Sequence, residues 1–265
     1  MEFLGHNGCY ETEPEVRMKV VSKIRPASGF SHFLHLVLTI ALPLLIHVLV
    51  RIDLASLAIL AIFLSKWRMF AVRPRYWLAN LQANAVDILV GVSLVVFMLQ
   101  TSSQLWQIIW AVAYAMWLLL IKPGSTLLVT SAQALIAEFV GLVAIYMAWG
   151  GAPSYVLILT TWLICHIIAR HFFTSFDEPY TKFLANTWAF FGAGLAWVSA
   201  HWLLFYGFVA QPALLLMVIS FSLSTMYYLE KSDRLSILLR RQFIFIMTAI
   251  IVVVLVFSDW GDKAI

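Results

Sequence analysis

The chain is dominated by long apolar stretches that short polar or charged turns separate. A helix needs about 20 mainly apolar residues to cross the hydrocarbon core of a bilayer. Within that core a helix satisfies its own backbone hydrogen bonds. The sequence therefore predicts an all-α membrane protein, a bundle of about nine transmembrane helices. The predicted spans are 30–50, 54–72, 81–99, 105–121, 126–149, 155–173, 181–206, 213–229 and 243–257.

Composition excludes a soluble globular domain. Of the 265 residues, 63% are hydrophobic and 11% are charged, and the mean hydropathy is +0.92. Soluble domains carry about 25% charged residues. The net charge of +4 arises in the turns and the tail, so we interpret it as a topology signal and expect no nucleic-acid partner. No phosphate-binding loop, dinucleotide-binding motif or zinc-protease motif occurs, so we expect no cofactor and no metal.

Positive charge falls on one side of the predicted bundle. The N-terminal tail and the turns on that side hold 15 lysines and arginines, and the opposite side holds two, Arg51 and Lys263. Cytoplasmic loops of membrane proteins carry this excess. The nine-span arrangement therefore predicts a cytoplasmic N-terminus and an external C-terminus in a cell membrane.

The chain is predicted to have one membrane domain, residues 30–258, between two tails. The first tail, 1–29, is cytoplasmic, and the second, 259–265, is short and external. Val16, Val20 and Ile24 recur every four residues among basic residues, which predicts an amphipathic helix on the membrane surface. The alternative is a charged tail that only sets orientation.

Glu138 is the most informative single residue, because it lies near the middle of the fifth predicted span. Ser131, Ala134 and Gly141 share its helical face, which is small or polar. An ionisable residue within a span is a functional candidate by default. Desolvation favours the protonated carboxyl, which is the form a proton-coupled carrier would use. The alternative is a neutral carboxylic acid that hydrogen-bonds to a neighbouring helix.

A polar stripe also runs along the third predicted span. Asn80, Asn84, Asp87 and Gly91 follow one another at spacings of four, three and four. The stripe is compatible with the lining of a vestibule, with an ion site, and with an anchor of the third helix to the basic turn at 66–75. The anchor is the favoured interpretation.

The sixth predicted span carries Trp162, His166 and Arg170 at intervals of four residues. We expect Arg170 and His166 to bind an anion, or Arg170 to form an ion pair with Asp87 or with the acidic residues at 177–178. Both arrangements would lie toward the cytoplasmic side.

The seventh predicted span, 181–206, has a face that lipid would not favour. The residues of this face recur at spacings of three and four and are small, polar or aromatic: Asn186, Phe190, Ala193, Gly194, Trp197 and His201. The face is predicted to turn inward, as the border of a path or as a packing seam. Asn186 would lie toward the cytoplasm and His201 toward the outside.

Two short runs near the C-terminus carry a resemblance. The run 240–247, RRQFIFIM, and the run 257–262, FSDWGD, resemble the C-terminal end of uncharacterised multi-pass proteins of bacterial genomes. The resemblance implies a bacterial membrane protein and brings no activity or site residue to this chain.

Three functions are compatible with the sequence. The leading hypothesis is a transporter or channel for a small solute or ion, with pathway residues Glu138, Asp87, Asn84, His166, Arg170, Asn186 and His201. The first alternative is a membrane-embedded enzyme or lipid-handling protein at the cytoplasmic interface, which uses Asp87, His166, Arg170, His171, Asp177 and Glu178. The second is a non-catalytic assembly partner. The expected partners are the lipid bilayer and a small solute, ion or lipid ligand.

Overall fold

The computed structural model describes residues 29–67, 71, 73–122, 126–200, 205–207 and 209–258. These residues form nine α-helices and one short β-hairpin. The helices are α1 (Phe30–Arg51), α2 (Ala55–Ser65), α3 (Trp77–Gln100), α4 (Gln104–Met116), α5 (Leu127–Trp149), α6 (Ser154–Ser175), α7 (Thr181–Ala200), α8 (Gln211–Lys231) and α9 (Ile237–Val256). A 3-10 turn, Pro74–Tyr76, precedes α3, and a π-helical turn, Trp117–Ile121, extends α4. The predicted amphipathic helix at 16–24 and the tail at 259–265 lie outside the described residues.

Seven of the described helices are long and apolar enough to cross a membrane. They are α3 with its 3-10 turn, α4 with its π-helical extension, and α5 to α9. The protein is thus an all-α, multi-pass membrane protein. The apolar part of α1, Leu36–Arg51, and α2 are shorter, so the count of nine spans and the orientation stay predictions.

Helix α2 ends earlier than the predicted second span, 54–72. It has 11 residues, which extend about 16 Å, whereas the hydrocarbon core is about 30 Å thick. Its last residue, Ser65, turns its hydroxyl back to the carbonyl of Ile62 at 2.6 Å. Lys66 then reaches α3 and contacts Asp87.

Lysines mark one end of the bundle. Lys66 and Lys122 both contact Asp87, and Lys231 contacts Glu178 in the turn between α6 and α7. We call this the basic end. The hairpin β1 (Phe205–Tyr206) and β2 (Val209–Ala210) lies at the opposite end.

Helix α5 is the centre of the bundle, because it packs against α3, α6 and α8. Two of its side chains, Leu142 and Tyr146, are at most 1% exposed. The Tyr146 hydroxyl lies 3.0 Å from the hydroxyl of Thr161 on α6, a buried polar contact between two helices. Within a bilayer, such close packing and interhelical hydrogen bonds associate helices.

Helix α9 lies at the edge of the bundle and packs mainly against α8. A small polar network fixes it at the opposite end. The hydroxyls of Tyr206 and Ser258 are 2.7 Å apart, and the Gln211 amide donates to Ser258 Oγ at 2.7 Å. The hairpin and the start of α8 therefore hold the end of α9.

The prediction that this face of α7 turns inward is wrong. Phe190 is 68% exposed and Trp197 is 59% exposed, and Asn186 and Gly194 are exposed as well. A second pattern of small residues, Ala185, Ala189, Gly192, Ala196 and Ser199, faces inward against α6. This second set packs on α6 because small residues let two helix backbones approach closely. His201 lies outside the described residues.

We expect Gly192→Ala to destabilise the protein. The added Cβ would lie 2.6 Å from Cys165 Sγ, and overpacking of this kind costs about 1–3 kcal/mol. The measurement is the melting temperature of the purified protein in detergent, which should fall. Gly194→Ala is the matched control, since its Cβ meets nothing within 4 Å and alanine favours a helix over glycine by about 1 kcal/mol. Equal melting temperatures for the two variants would contradict the close packing of α7 on α6 at Gly192.

Candidate functional site

A cavity of about 700 Å³ lies among α5, α6, α7, α8 and the start of α9. Small-molecule sites in proteins have volumes of about 300–1,000 Å³. Most of the lining side chains are apolar, and several are aromatic. The apolar lining residues are Ala134, Leu135, Ile168, Ala169, Phe172, Phe173, Leu184, Trp188, Phe191, Ile219, Leu223, Met226, Leu235 and Ile244. The polar ones are Glu138, Thr187, Ser220, Ser224, Tyr227, Glu230 and Arg240.

Glu138 lies in the wall of this cavity and is 2% exposed. The Trp188 indole N–H donates to its Oε1 at 3.0 Å, and Cys165 Sγ lies 3.9 Å from the same oxygen. Within the described part of the chain, no lysine, arginine or histidine forms an ion pair with it. Ser131, Ala134 and Gly141, which share a helical face with Glu138 in the sequence, are buried too.

Ser220 and Ser224 on α8 also line the cavity. Ser220 is 6% exposed, and its hydroxyl lies beside the Glu138 carboxyl. The contact with that carboxyl falls short of hydrogen-bonding geometry, and the hydroxyl has no other described partner. Because buried polar groups are nearly always hydrogen-bonded, this hydroxyl and the carboxyl together are a candidate ligand contact.

The polar residues at the mouth of the cavity belong to the basic end. On α8, Tyr227 lies two turns beyond Ser220, which is about 10 Å along the helix. Glu230 and Arg240 face each other there at 4.0 Å, and both are exposed. The cavity therefore extends from a buried carboxyl to a polar mouth, with apolar walls between them.

Tyr227 also fixes the turn between α6 and α7. Its hydroxyl donates to Glu178, and the Lys231 ammonium lies 3.0 Å from the same carboxylate. The hydrogen bond from Tyr227, followed by the interactions with Lys231, lowers the pKa of Glu178 below its ordinary value. Phe172, Phe173 and Phe176 surround the Tyr227 ring at centroid distances of 5.1–5.7 Å.

Asp87 does not line the cavity. Its carboxylate accepts from Lys66 Nζ at 2.8 Å and from Trp117 Nε1 at 3.3 Å, and Lys122 Nζ lies 3.0 Å away. The side chains of Asp87 and Lys66 are 14% and 9% exposed. The Asn84 amide donates to the carbonyl of Asn80, one turn earlier, at 2.9 Å. This geometry is that of an anchor between helix ends, the interpretation that the sequence favoured.

His166, Arg170 and Asn186 lie on another surface, formed by α6 and α7. The His166 ring stacks on Trp162 at a centroid distance of 5.2 Å and hydrogen-bonds to the Asn186 side chain. Arg170 forms no salt bridge with Asp87, Asp177 or Glu178, all of which are described. Among the predicted pathway residues that the structure describes, Glu138 lies in the cavity wall and the others lie elsewhere.

The enzyme alternative needs its acidic and histidine groups to converge. Asp87 is paired with lysines, Glu178 with Tyr227 and Lys231, and His166 with Asn186. Among the described residues, no group of three or more His, Cys, Asp and Glu side chains has the geometry to hold a metal ion. Of that set, His171 lies near enough to Asp87 to interact with its carboxylate, but the two lysines already pair with that carboxylate.

Comparison with known proteins gives no match to a family model, a curated protein or a solved structure.

We expect Asp87→Asn to lower the melting temperature of the purified protein. The change leaves Lys66 and Lys122 near each other without a carboxylate, and breaking a buried ion pair costs about 3 kcal/mol. Asn84→Ala on the same helix is the control, because Asn84 bonds within its own helix. Replacing the pair in the double variant Lys66→Met, Asp87→Leu should recover part of the loss. A melting temperature for Asp87→Asn equal to that of the control would contradict the role of Asp87 in holding the helices together.

We expect Glu178→Gln to destabilise the protein at pH 7 and to have little effect in acid. Because folding lowers the pKa of this carboxyl, its stabilisation is complete above the ordinary value of 4.5 and disappears as the pH falls through the lowered value. Melting temperatures across this range measure the effect. Glu230→Gln should change little, since its ion pair is exposed at 4.0 Å. If Glu178→Gln still lowered the melting temperature by the same amount at a pH below the lowered pKa of Glu178, this pH dependence would be contradicted.

Proposed function

We propose that the protein is a carrier that binds a small amphiphilic organic solute inside the membrane and moves it across. The observation that supports this most directly is the cavity of about 700 Å³ with a buried carboxyl in its wall. Ligand sites typically combine apolar walls with a few polar groups that orient the ligand. Glu138 and Ser220 would supply those groups here.

The lining favours an organic solute over a free ion. Walls of leucine, isoleucine and phenylalanine offer no oxygens to replace a hydration shell, and transfer of a bare ion into such surroundings is very costly. A solute with an apolar body loses water at these walls, which is favourable by about 25 cal/mol per Å² buried. The ion channel of the sequence hypotheses is therefore the less favoured form of transport.

The closed side of the cavity fits a carrier as well. Between the polar groups of the cavity and the opposite end, the bundle is closed by three side chains that are each at most 1% exposed. They are Leu142 and Tyr146 on α5 and Leu216 on α8. A carrier exposes its site to one side at a time. The cavity opens at the basic end, beside the edge helix α9, so a solute would enter from that side of the membrane.

A lipid-handling protein is the second candidate. Leu235, Arg240 and Ile244 place the start of α9 at the cavity, and α9 packs mainly against α8. This loose edge suits a lipid that enters sideways from the bilayer and stays bound without crossing. The two candidates share the binding site and differ in transport.

We expect Leu223→Trp to block the site. Leu223 lines the cavity and is 43% exposed, so a larger ring fits at that position and fills part of the space. The probe is a diazirine-tagged fatty alcohol in proteoliposomes, with labelled peptides read by mass spectrometry. Cavity peptides of α6, α7 and α8 should be labelled in the parent protein and several-fold less in the variant.

Phe221→Trp is the matched control for this experiment. It lies on the same helix, is 50% exposed and does not line the cavity. Equal labelling of Leu223→Trp and Phe221→Trp would contradict the site. Uptake of the same alcohol into the vesicles separates the candidates: labelling with transport supports the carrier, and labelling without transport supports the lipid-handling protein.

A further inference from the structure

We propose that the cavity selects a lipophilic organic cation, with Glu138 as its counter-ion. This inference rests on the proposed binding function and names the chemical class of the ligand. Three properties of the site support it: the charge of the lining, the Ser220 hydroxyl beside Glu138, and the aromatic walls.

Among the charged side chains of the lining, one carboxyl has no cationic partner. The charged side chains among the lining residues are Glu138, Glu230 and Arg240. Glu230 and Arg240 pair with each other at the mouth, so Glu138 is the lining carboxyl that has no cationic partner in the described ranges. A carboxylate buried in apolar surroundings is stable only when it is paired or neutral. A cationic ligand would provide the missing pair.

Binding of a cation would therefore displace a proton. In this proposal the carboxyl holds a proton in the absence of the ligand; the cation displaces that proton, which passes to water, and pairs with the carboxylate that remains. The groups that face Glu138 are Cys165 from α6, Trp188 from α7 and Ser220 from α8. Asp87, on the neighbouring helix α3, is already neutralised by two lysines. No lysine or arginine of the described chain competes with the ligand for this carboxyl.

Ser220 adds a second polar group at the same place. It is 6% exposed, lines the cavity beside Glu138, and its hydroxyl has no described partner other than that carboxyl. With one Glu138 oxygen already bonded to Trp188, the hydroxyl and the rest of the carboxyl would form the polar part of the site. A ligand held there has its charged end deep in the cavity, and its apolar groups against the walls.

The aromatic side chains suit a cation whose charge is shielded by apolar groups. Trp188 and Phe191 stack at a centroid distance of 5.3 Å on the α7 wall, and Phe172, Phe173 and Tyr227 form the facing cluster. Aromatic faces attract cations that lie within about 6 Å of the ring centroid. Small hydrated ions gain little from such walls, because they would first have to lose their water.

The test compares two probes of similar size, tetraphenylphosphonium and the neutral triphenylphosphine oxide. Binding of both radiolabelled probes is measured on the full chain, purified in detergent, as the parent protein and as Glu138→Gln. We expect the glutamine variant to lose roughly 30-fold or more in affinity for the cation, the usual effect of removing one partner of a buried charge pair. Its affinity for the oxide should be unchanged. Glu138→Asp, which keeps the charge, should retain the preference for the cation.

A second measurement needs no variant. In a weakly buffered solution, the cation should release protons when it binds to the parent protein, and the oxide should release none. Retained binding of both probes by Glu138→Gln, or cation binding without proton release, would overturn the inference and leave the proposed binding function intact. A membrane lipid that occupies the cavity and is not displaced by the cation would also overturn the inference. Failure of Leu223→Trp to weaken either probe would instead contradict the proposed site itself.

Discussion

The rest of the structure depends on close packing around α5. In a bilayer the helices gain little from leaving one apolar environment for another, so they associate through small residues and interhelical hydrogen bonds. Gly141 lets α5 approach Leu89 of α3, and Tyr146 meets Thr161 of α6. The same helix carries Glu138 into the cavity wall. The contacts that hold α5 are thus also those that place the candidate site.

Much of the architecture could be predicted, because it follows from elementary constraints. Charges confined to the turns, and apolar stretches between them, are sufficient for an all-α membrane bundle. Glu138 could be identified as well, since a carboxylate within a span has few stable surroundings. The spacing also placed Ser131, Ala134 and Gly141 on its helical face, and the structure buries them. The second span was overextended, because a pattern of apolar residues does not reveal that Lys66 turns toward Asp87.

The remaining features depend on which helices become neighbours. Helix α7 has two sets of small residues, and spacing alone could not decide which set packs on α6; Gly192, rather than Gly194, meets Cys165. Asp87 and His166 are polar residues of equal prominence in the sequence, yet each is paired away from the cavity. Ser220 gave no special signal, because its significance comes from a carboxyl on another helix.

Helix α9 is held at both of its ends. Tyr206, Gln211 and Ser258 secure one end. Residues 232–236 join the other end to α8, beside the exposed pair between Glu230 and Arg240. A helix of 20 residues is about 30 Å long, so the cavity is bordered by a helix fixed at two points that far apart.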